Sequence, residues 1–235
     1  MTRSRPSSTA RGAPLRVLAA TAAFALVHSA LASRRAKALA RTALGERASD
    51  GWYRAAYNVH AVVSFTALAW WARRLPDRTL WEAHGPWRAL LHAAQLGGLA
   101  LGTLAARDVG YARIAGVASV RAWLRGDARV PPAPEAQGPA PDDDGEFRAR
   151  GPFRASRHPL NVAPLPVLWC MPRMTVNLAT FNAAATLYLV LGSRHEEARL
   201  RAAHGDAYER YRRSGIPFYL PRPVRTTHAT LPTPA

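Results

Sequence analysis

The sequence predicts an all-α, polytopic integral membrane protein with about five transmembrane helices, the last two forming a C-terminal helical hairpin. Three observations predict this class. The 235 residues hold several alanine-rich apolar runs, most of them near the length that crosses a hydrocarbon core of ~30 Å. Arginine-rich segments separate these runs, so the mean hydropathy is only −0.15 although 49% of the residues are apolar. The formal net charge is +17, and the basic residues flank the runs, as they do where anionic headgroups set orientation. That placement argues for membrane lipids, not nucleic acid, as the partner of the charge. The one cysteine, Cys170, lies inside an apolar run, and no disulfide or zinc pattern exists.

Residues 1–14 are polar and basic and are expected to be disordered. Leu15–Ala32 is the first apolar run. It imitates a signal peptide, with a basic start and Ala30-Leu31-Ala32 at its end. Because further runs follow, it is expected to be retained as a helix. Residues 33–54 form a basic segment. Ala55–Ala72 is the second run, closed by Trp70-Trp71 and Arg73-Arg74, an aromatic and cationic interface anchor. Pro76–Gly85 reads as a polar loop. Pro86–Ala106 is the third run, with Ala94, Gly98, Gly102 and Ala106 recurring every four residues. Such a small-residue stripe permits close helix contact in a membrane. Val109–Arg125 is amphipathic and is expected to lie in the interface. The segment 15–125 is thus a set of membrane helices plus one interfacial helix.

Residues 126–150 are rich in Pro and Asp and are expected to be a flexible loop. Within them Asp142-Asp143-Asp144 reads as a solvated turn and not as a metal site. Residues 151–221 hold the hairpin arms, Leu160–Met171 and Met174–Leu191, and then an amphipathic C-terminal helix. Residues 222–235 are expected to be a disordered tail. If the arms cross as antiparallel helices, segments 33–54, 107–159 and 194–235 share one face and hold well over half of the 32 Lys and Arg. The positive-inside rule makes that face cytoplasmic, in a bacterial inner membrane. The arm Leu160–Met171 would rise only ~18 Å as a helix, short of a full span.

The candidate site lies at the two ends of the hairpin. Arg157, His158 and Pro159 precede the first arm, and Arg194-His195-Glu196-Glu197 follow the second. Pro159 suits the first helical position, with His158 as its cap. A helix start favours an anionic group, and Arg157 adds a fixed cation. Glu196 and Glu197 are acceptors suited to hydroxyls or to a cationic ligand. An elongated ligand with an anionic end and a hydroxyl-rich or cationic part would bridge the two.

The run Arg157-His158-Pro159-Leu160, the pair Glu196-Glu197, and then Gly205, Tyr208, Tyr211 and Pro217 resemble the motifs of a family of membrane methyltransferases. These are the isoprenylcysteine carboxyl, phospholipid and methanethiol S-methyltransferases and the NnrU-type proteins akin to them. Asn161 stands where that family has tyrosine, and Ala163 where glycine is usual. His28-Ser29 and Tyr57-Asn58 resemble the thiol-methyltransferase and NnrU-like branch. The resemblance implies a C-terminal catalytic hairpin and S-adenosylmethionine as methyl donor. Arg157 and His158 would hold the donor's carboxylate end, Glu196 and Glu197 its ribose or amino groups, and Asn161 would be an amide contact. The acceptor would be a small thiol or a lipid-like molecule. A second reading stays open: His28, His60 and His92 lie in the early apolar runs. Histidines within a membrane are functional candidates, so the chain is alternatively a non-enzymatic haem- or metal-binding membrane protein.

Overall fold

A computed structural model describes residues 8–220 apart from Ala140. Among these the elements are α1 (Ser8–Ala32), α2 (Arg34–Leu44), α3 (Glu46–Ala72), β1 (Thr79–Glu82), α4 (Gly85–Val109), α5 (Tyr111–Ala115) and α6 (Val117–Arg125). A 3-10 turn (Gly151–Arg154), α7 (Pro159–Val162), α8 (Pro164–Trp169), β2 (Arg173–Thr175) and α9 (Val176–Arg212) follow. The protein is an all-α membrane protein with a single two-stranded antiparallel ladder, Thr79 opposite Thr175 and Glu82 opposite Arg173.

Among the described residues, three helices are long and apolar enough to cross a membrane: α1 over Gly12–Ala32, α4, and α9. Their outward faces carry Leu26, Leu96, Leu99 and Leu187, all largely exposed, where lipid in place of water makes exposure favourable. α3 has 27 residues, about 40 Å of helix. Its Val59, Val62 and Val63 also face outward, but Glu46, Arg47, Asp50 and Arg54 make its first half polar.

The helix α1 starts at Ser8, so the expected disorder of 1–14 fails for residues 8–14. Residues 1–7 and the expected tail 222–235 lie outside the described residues. Pro14 sits inside this helix although it removes one backbone donor. What offsets it is packing: Ala13, Val17 and Thr21, one face at four-residue spacing, are almost fully buried where α1 lies along α9 and α3.

The fourth expected segment is broken. Pro164 and Pro166 lack the N–H that would continue the ladder, and the chain makes α7 and α8 as two short pieces. They stay tied to their neighbours by side chains. Gln95 of α4 donates to the Val167 carbonyl at 3.1 Å, and Asn182 of α9 donates to the Leu168 carbonyl at 2.5 Å. Against them the small-residue stripe of α4 closes. A Cβ on Gly98 would lie 2.6 Å from the Ala163 carbonyl oxygen, and one on Gly102 3.3 Å from the Ala163 Cβ. On the far face, the ladder ties the two loops together, and Arg74 stacks 3.3 Å over Trp70 at the end of α3.

The amphipathic segment 109–125 divides into α5 and α6 because Gly116 adopts a left-handed conformation, φ 81°, between them. The basic segment 33–54 contains α2, capped by Ser33, whose hydroxyl accepts from the Ala36 N–H at 3.2 Å. The Pro-rich segment 126–150 has no helix or strand, yet it is packed where a flexible loop was expected. Proline prevents regular pairing there, and side chains from other elements take up the backbone groups instead. Ser119 donates to the Pro131 carbonyl, Lys37 to Pro134 and Arg199 to Glu135.

Candidate functional site

The helix α7 begins at Pro159, and its cap residue His158 uses no side-chain cap. The imidazole instead points across to α9. Its Nδ1 lies 3.4 Å from Glu196 and its Nε2 3.3 Å from Glu197. Arg157 donates through Nε to the same Glu197 oxygen at 2.8 Å, and through Nη1 to the Ile216 carbonyl at 2.6 Å. The Arg157 backbone N–H donates to the Pro217 carbonyl at 2.9 Å, and Phe218 packs its ring 4.9 Å from His158. These groups form a closed cluster in which Arg157, His158 and Glu197 satisfy one another.

The cluster is buried: His158 is 5% exposed and Glu197 6%. Burial alone opposes charge on His158. Its hydrogen bonds to Glu196 and Glu197, with their negative charge, outweigh that and raise its pKa. Each ring nitrogen faces one carboxylate, so a charged imidazole can direct one N–H toward each.

Glu196 has a second role. One oxygen accepts from the Gln137 backbone N–H, and the other lies 3.4 Å from the Asn161 amide nitrogen. Asn161 also donates to Ser193 at 2.7 Å, while Tyr219 donates to the Asn161 carbonyl at 3.2 Å. Glu196 and Asn161 thereby stand at the wall of a cavity of about 220 Å³. The structure brings all five expected residues together, but of the five only these two line the cavity. Arg157, His158 and Glu197 lie behind them.

The rest of the wall comes from α1, α2, α3, α9 and the Pro-rich segment. Lys37 meets Glu135 at 3.2 Å. Burial lowers the Lys37 pKa in spite of that carboxylate. Arg54 is 8% exposed and donates through Nε to the Ile114 carbonyl at 2.8 Å, while its Nη2 has no partner among the described residues. Tyr53, Tyr57 and Tyr188 supply aromatic faces, and Arg199 and His195 complete the polar wall. Sequence reasoning missed Lys37, Glu135, Arg54 and Arg199 as wall residues. For Arg54 a signal existed, an arginine at the very start of an apolar run. For Glu135, inside a Pro-rich stretch, none did.

Tyr208 and Tyr211 are almost fully buried and pack with Phe147 and Leu200, away from the cavity. They reach that position because α9 kinks at Gly205, φ 51° and ψ −126°, a backbone state that disfavours any side chain. His28 spends its Nε2 on Tyr57, and His92 bonds Gln95 of its own helix. Among the described residues no three His, Cys, Asp or Glu side chains converge on a metal-sized point. Asp142 and Asp144 are engaged by Arg148.

The chain is similar over 191 residues, at 28% identity, to a methanethiol S-methyltransferase of Pseudomonas deceptionensis, which covers 81% of this chain and 66% of that protein. It is similar at 27% over 192 residues to methanethiol S-methyltransferase 1 of Bradyrhizobium diazoefficiens, covering 81% and 61%. A methanethiol S-methyltransferase of Crocosphaera subtropica is 37% identical over 76 residues, 32% of this chain and 29% of that protein. The chain thus spans about two thirds or less of the length of these curated relatives. They support the resemblance to membrane methyltransferases, as distant kin. No family model matches the chain, and no solved structure matches it.

Proposed function

We propose that the protein is an S-adenosylmethionine-dependent methyltransferase that acts at the membrane on a small thiol. The carrying observation is the cavity against Glu196 and Asn161. It combines two carboxylates, Glu196 and Glu135, with three cations, Arg54, Lys37 and Arg199, and three tyrosines. The donor has a carboxylate, an amino group, ribose hydroxyls, an aromatic base and a sulfonium, so this wall offers a partner for each. The unpartnered Nη2 of buried Arg54 is the observation that favours an anionic group there, since a buried donor left unpaired costs free energy. A sulfonium donor supplies an electrophilic methyl group.

The chain's own residues do the positioning. Glu196 and Asn161 face the ligand, and the cluster of Arg157, His158 and Glu197 fixes them by locking α7 to α9. Little acid–base work is needed beyond a deprotonated acceptor, so holding the partners in line supplies most of the rate. The sequence-based orientation puts this site on the cytoplasmic face of a bacterial inner membrane. The names of the relatives favour a small thiol over a lipid-like acceptor.

The test is calorimetric titration of the purified protein with S-adenosylmethionine and with its demethylated product, followed by an assay for the methyl thioether formed from methanethiol. Saturable binding of both, with thioether production, supports the reading. No binding of either would sink it.

A further inference from the structure

We propose that Tyr57 and His28, beside the free end of Arg54, form the subsite that receives the thiol and takes its proton. This rests on the thiol-methylation reading above and deepens it.

Ionic and aromatic side chains both line the cavity. Its aromatic wall includes His28 and Ser29 of α1, Tyr57 of α3, and Tyr188 and Leu189 of α9. The Tyr57 hydroxyl lies 2.5 Å from His28 Nε2, with the ring centroids 4.7 Å apart. His28 Nδ1 is buried and has no partner among the described residues. The tautomer with the proton on Nδ1 leaves the Nε2 lone pair to accept the tyrosine O–H. Tyr188 meets the His28 ring edge-on at 6.1 Å, and Ser29 donates to its hydroxyl at 3.3 Å. Tyr57 is therefore the group of this pair that offers an oxygen to a ligand, with a proton acceptor fixed behind it.

A thiol needs this arrangement because the thiolate is the nucleophile, and even the cysteine thiol, with pKa of about 8.5, is mostly protonated at neutral pH, a simple alkanethiol more so. In the step, the S–H bond breaks and its electron pair stays on sulfur. The thiol proton passes to the Tyr57 oxygen as the tyrosine's own proton crosses to His28 Nε2. Tyr57 ends neutral, His28 ends as imidazolium, and a thiolate faces the methyl donor. The proton later leaves His28 for bulk water by the same path.

The charges around the pair set the balance. From α3 they are Arg54, 5.4 Å from the Tyr57 ring, and His60; from α9, His195, Glu196 and Arg199; from α2, Lys37, and from the Pro-rich segment, Glu135. Arg54 favours the thiolate directly, because its Nη2 donor is unspent among the described residues. Glu196 offsets part of the positive field. Tyr57 is a catalytic residue in this scheme, and His28 and Arg54 act through it and on the anion.

The experiment reads the proton itself. Ethanethiol is titrated into the purified protein, with and without the demethylated donor product, and its S–H stretch is followed by infrared difference spectroscopy across pH. Wild type is expected to lose the S–H band at least one pH unit below the free thiol. Tyr57→Phe and His28→Asn are expected to abolish that shift. A shift that survives in Tyr57→Phe overturns the proposal, whether or not His28→Asn folds. Loss of product binding in wild type would remove the donor reading instead, and the titration without product would still decide the thiol subsite.

Discussion

The cluster of Arg157, His158 and Glu197 and the cavity one helical turn away use the same side-chain types to opposite ends. In the cluster every charge has a close opposite, Arg157 to Glu197 at 2.8 Å and His158 to both carboxylates. In the cavity, charge is left over: the Arg54 Nη2 has no partner among the described residues, although Lys37 pairs with Glu135 and Glu196 with His158. A satisfied buried network stiffens a fold, whereas an unsatisfied one keeps free energy in reserve for a ligand. Glu196 belongs to both, and so couples the rigid part to the receptive one.

The comparison breaks first at Glu197. Replacing it by Gln leaves Arg157 buried without its counter-charge and His158 with Glu196 alone, and removing one partner of a buried pair costs about 3–5 kcal/mol. We expect thermal unfolding in detergent to drop accordingly, with donor affinity lost only through unfolding. If Glu197→Gln unfolds like wild type, the cluster is not a lock. Glu196→Gln is the counterpart on the cavity side. It should weaken donor binding by roughly 1.5–3 kcal/mol, the range for hydrogen bonds to charged groups, and unfold less easily than Glu197→Gln. Calorimetry and melting on the same preparation separate the two; equal losses in both would erase the distinction. Asn161→Ala removes the 2.7 Å bond to Ser193 and should cost about 1 kcal/mol of stability, visible as a small shift in melting temperature.

A pH series gives the finest resolution. The folded pKa of His158 is raised above its usual 6.5. Its contribution to stability is therefore complete below about 6.5 and fades as pH rises through the raised folded value. Wild type should lose melting temperature over that window, and His158→Asn should not. A parallel decline in both would place the titrating group elsewhere.

How far the sequence carried depends on whether the chemistry was local. Arg157-His158-Pro159 and Glu196-Glu197 are contiguous motifs, and antiparallel arms had to bring them to one face. What no pattern encodes is a distance. A ligand-sized gap between the two ends and the 3.3–3.4 Å found between His158 and the carboxylates follow from the same spacing in sequence. The Pro-rich segment is the clearest loss. Its composition reads as a flexible loop and gave no hint that the Gln137 N–H would reach Glu196. The fourth arm was legible as too short, and its two prolines explain why it breaks.

The cavity wall also has a history in time. Its aromatic part is assembled from α1 and α9, and Ser29 and Tyr188, which meet there, are 159 residues apart in the chain. During synthesis α1 enters the bilayer long before α9 exists. His28 can then meet Tyr57 and Phe24, while Tyr188 arrives only with the last long helix. The cavity wall is thus complete only once the last long helix has joined the first.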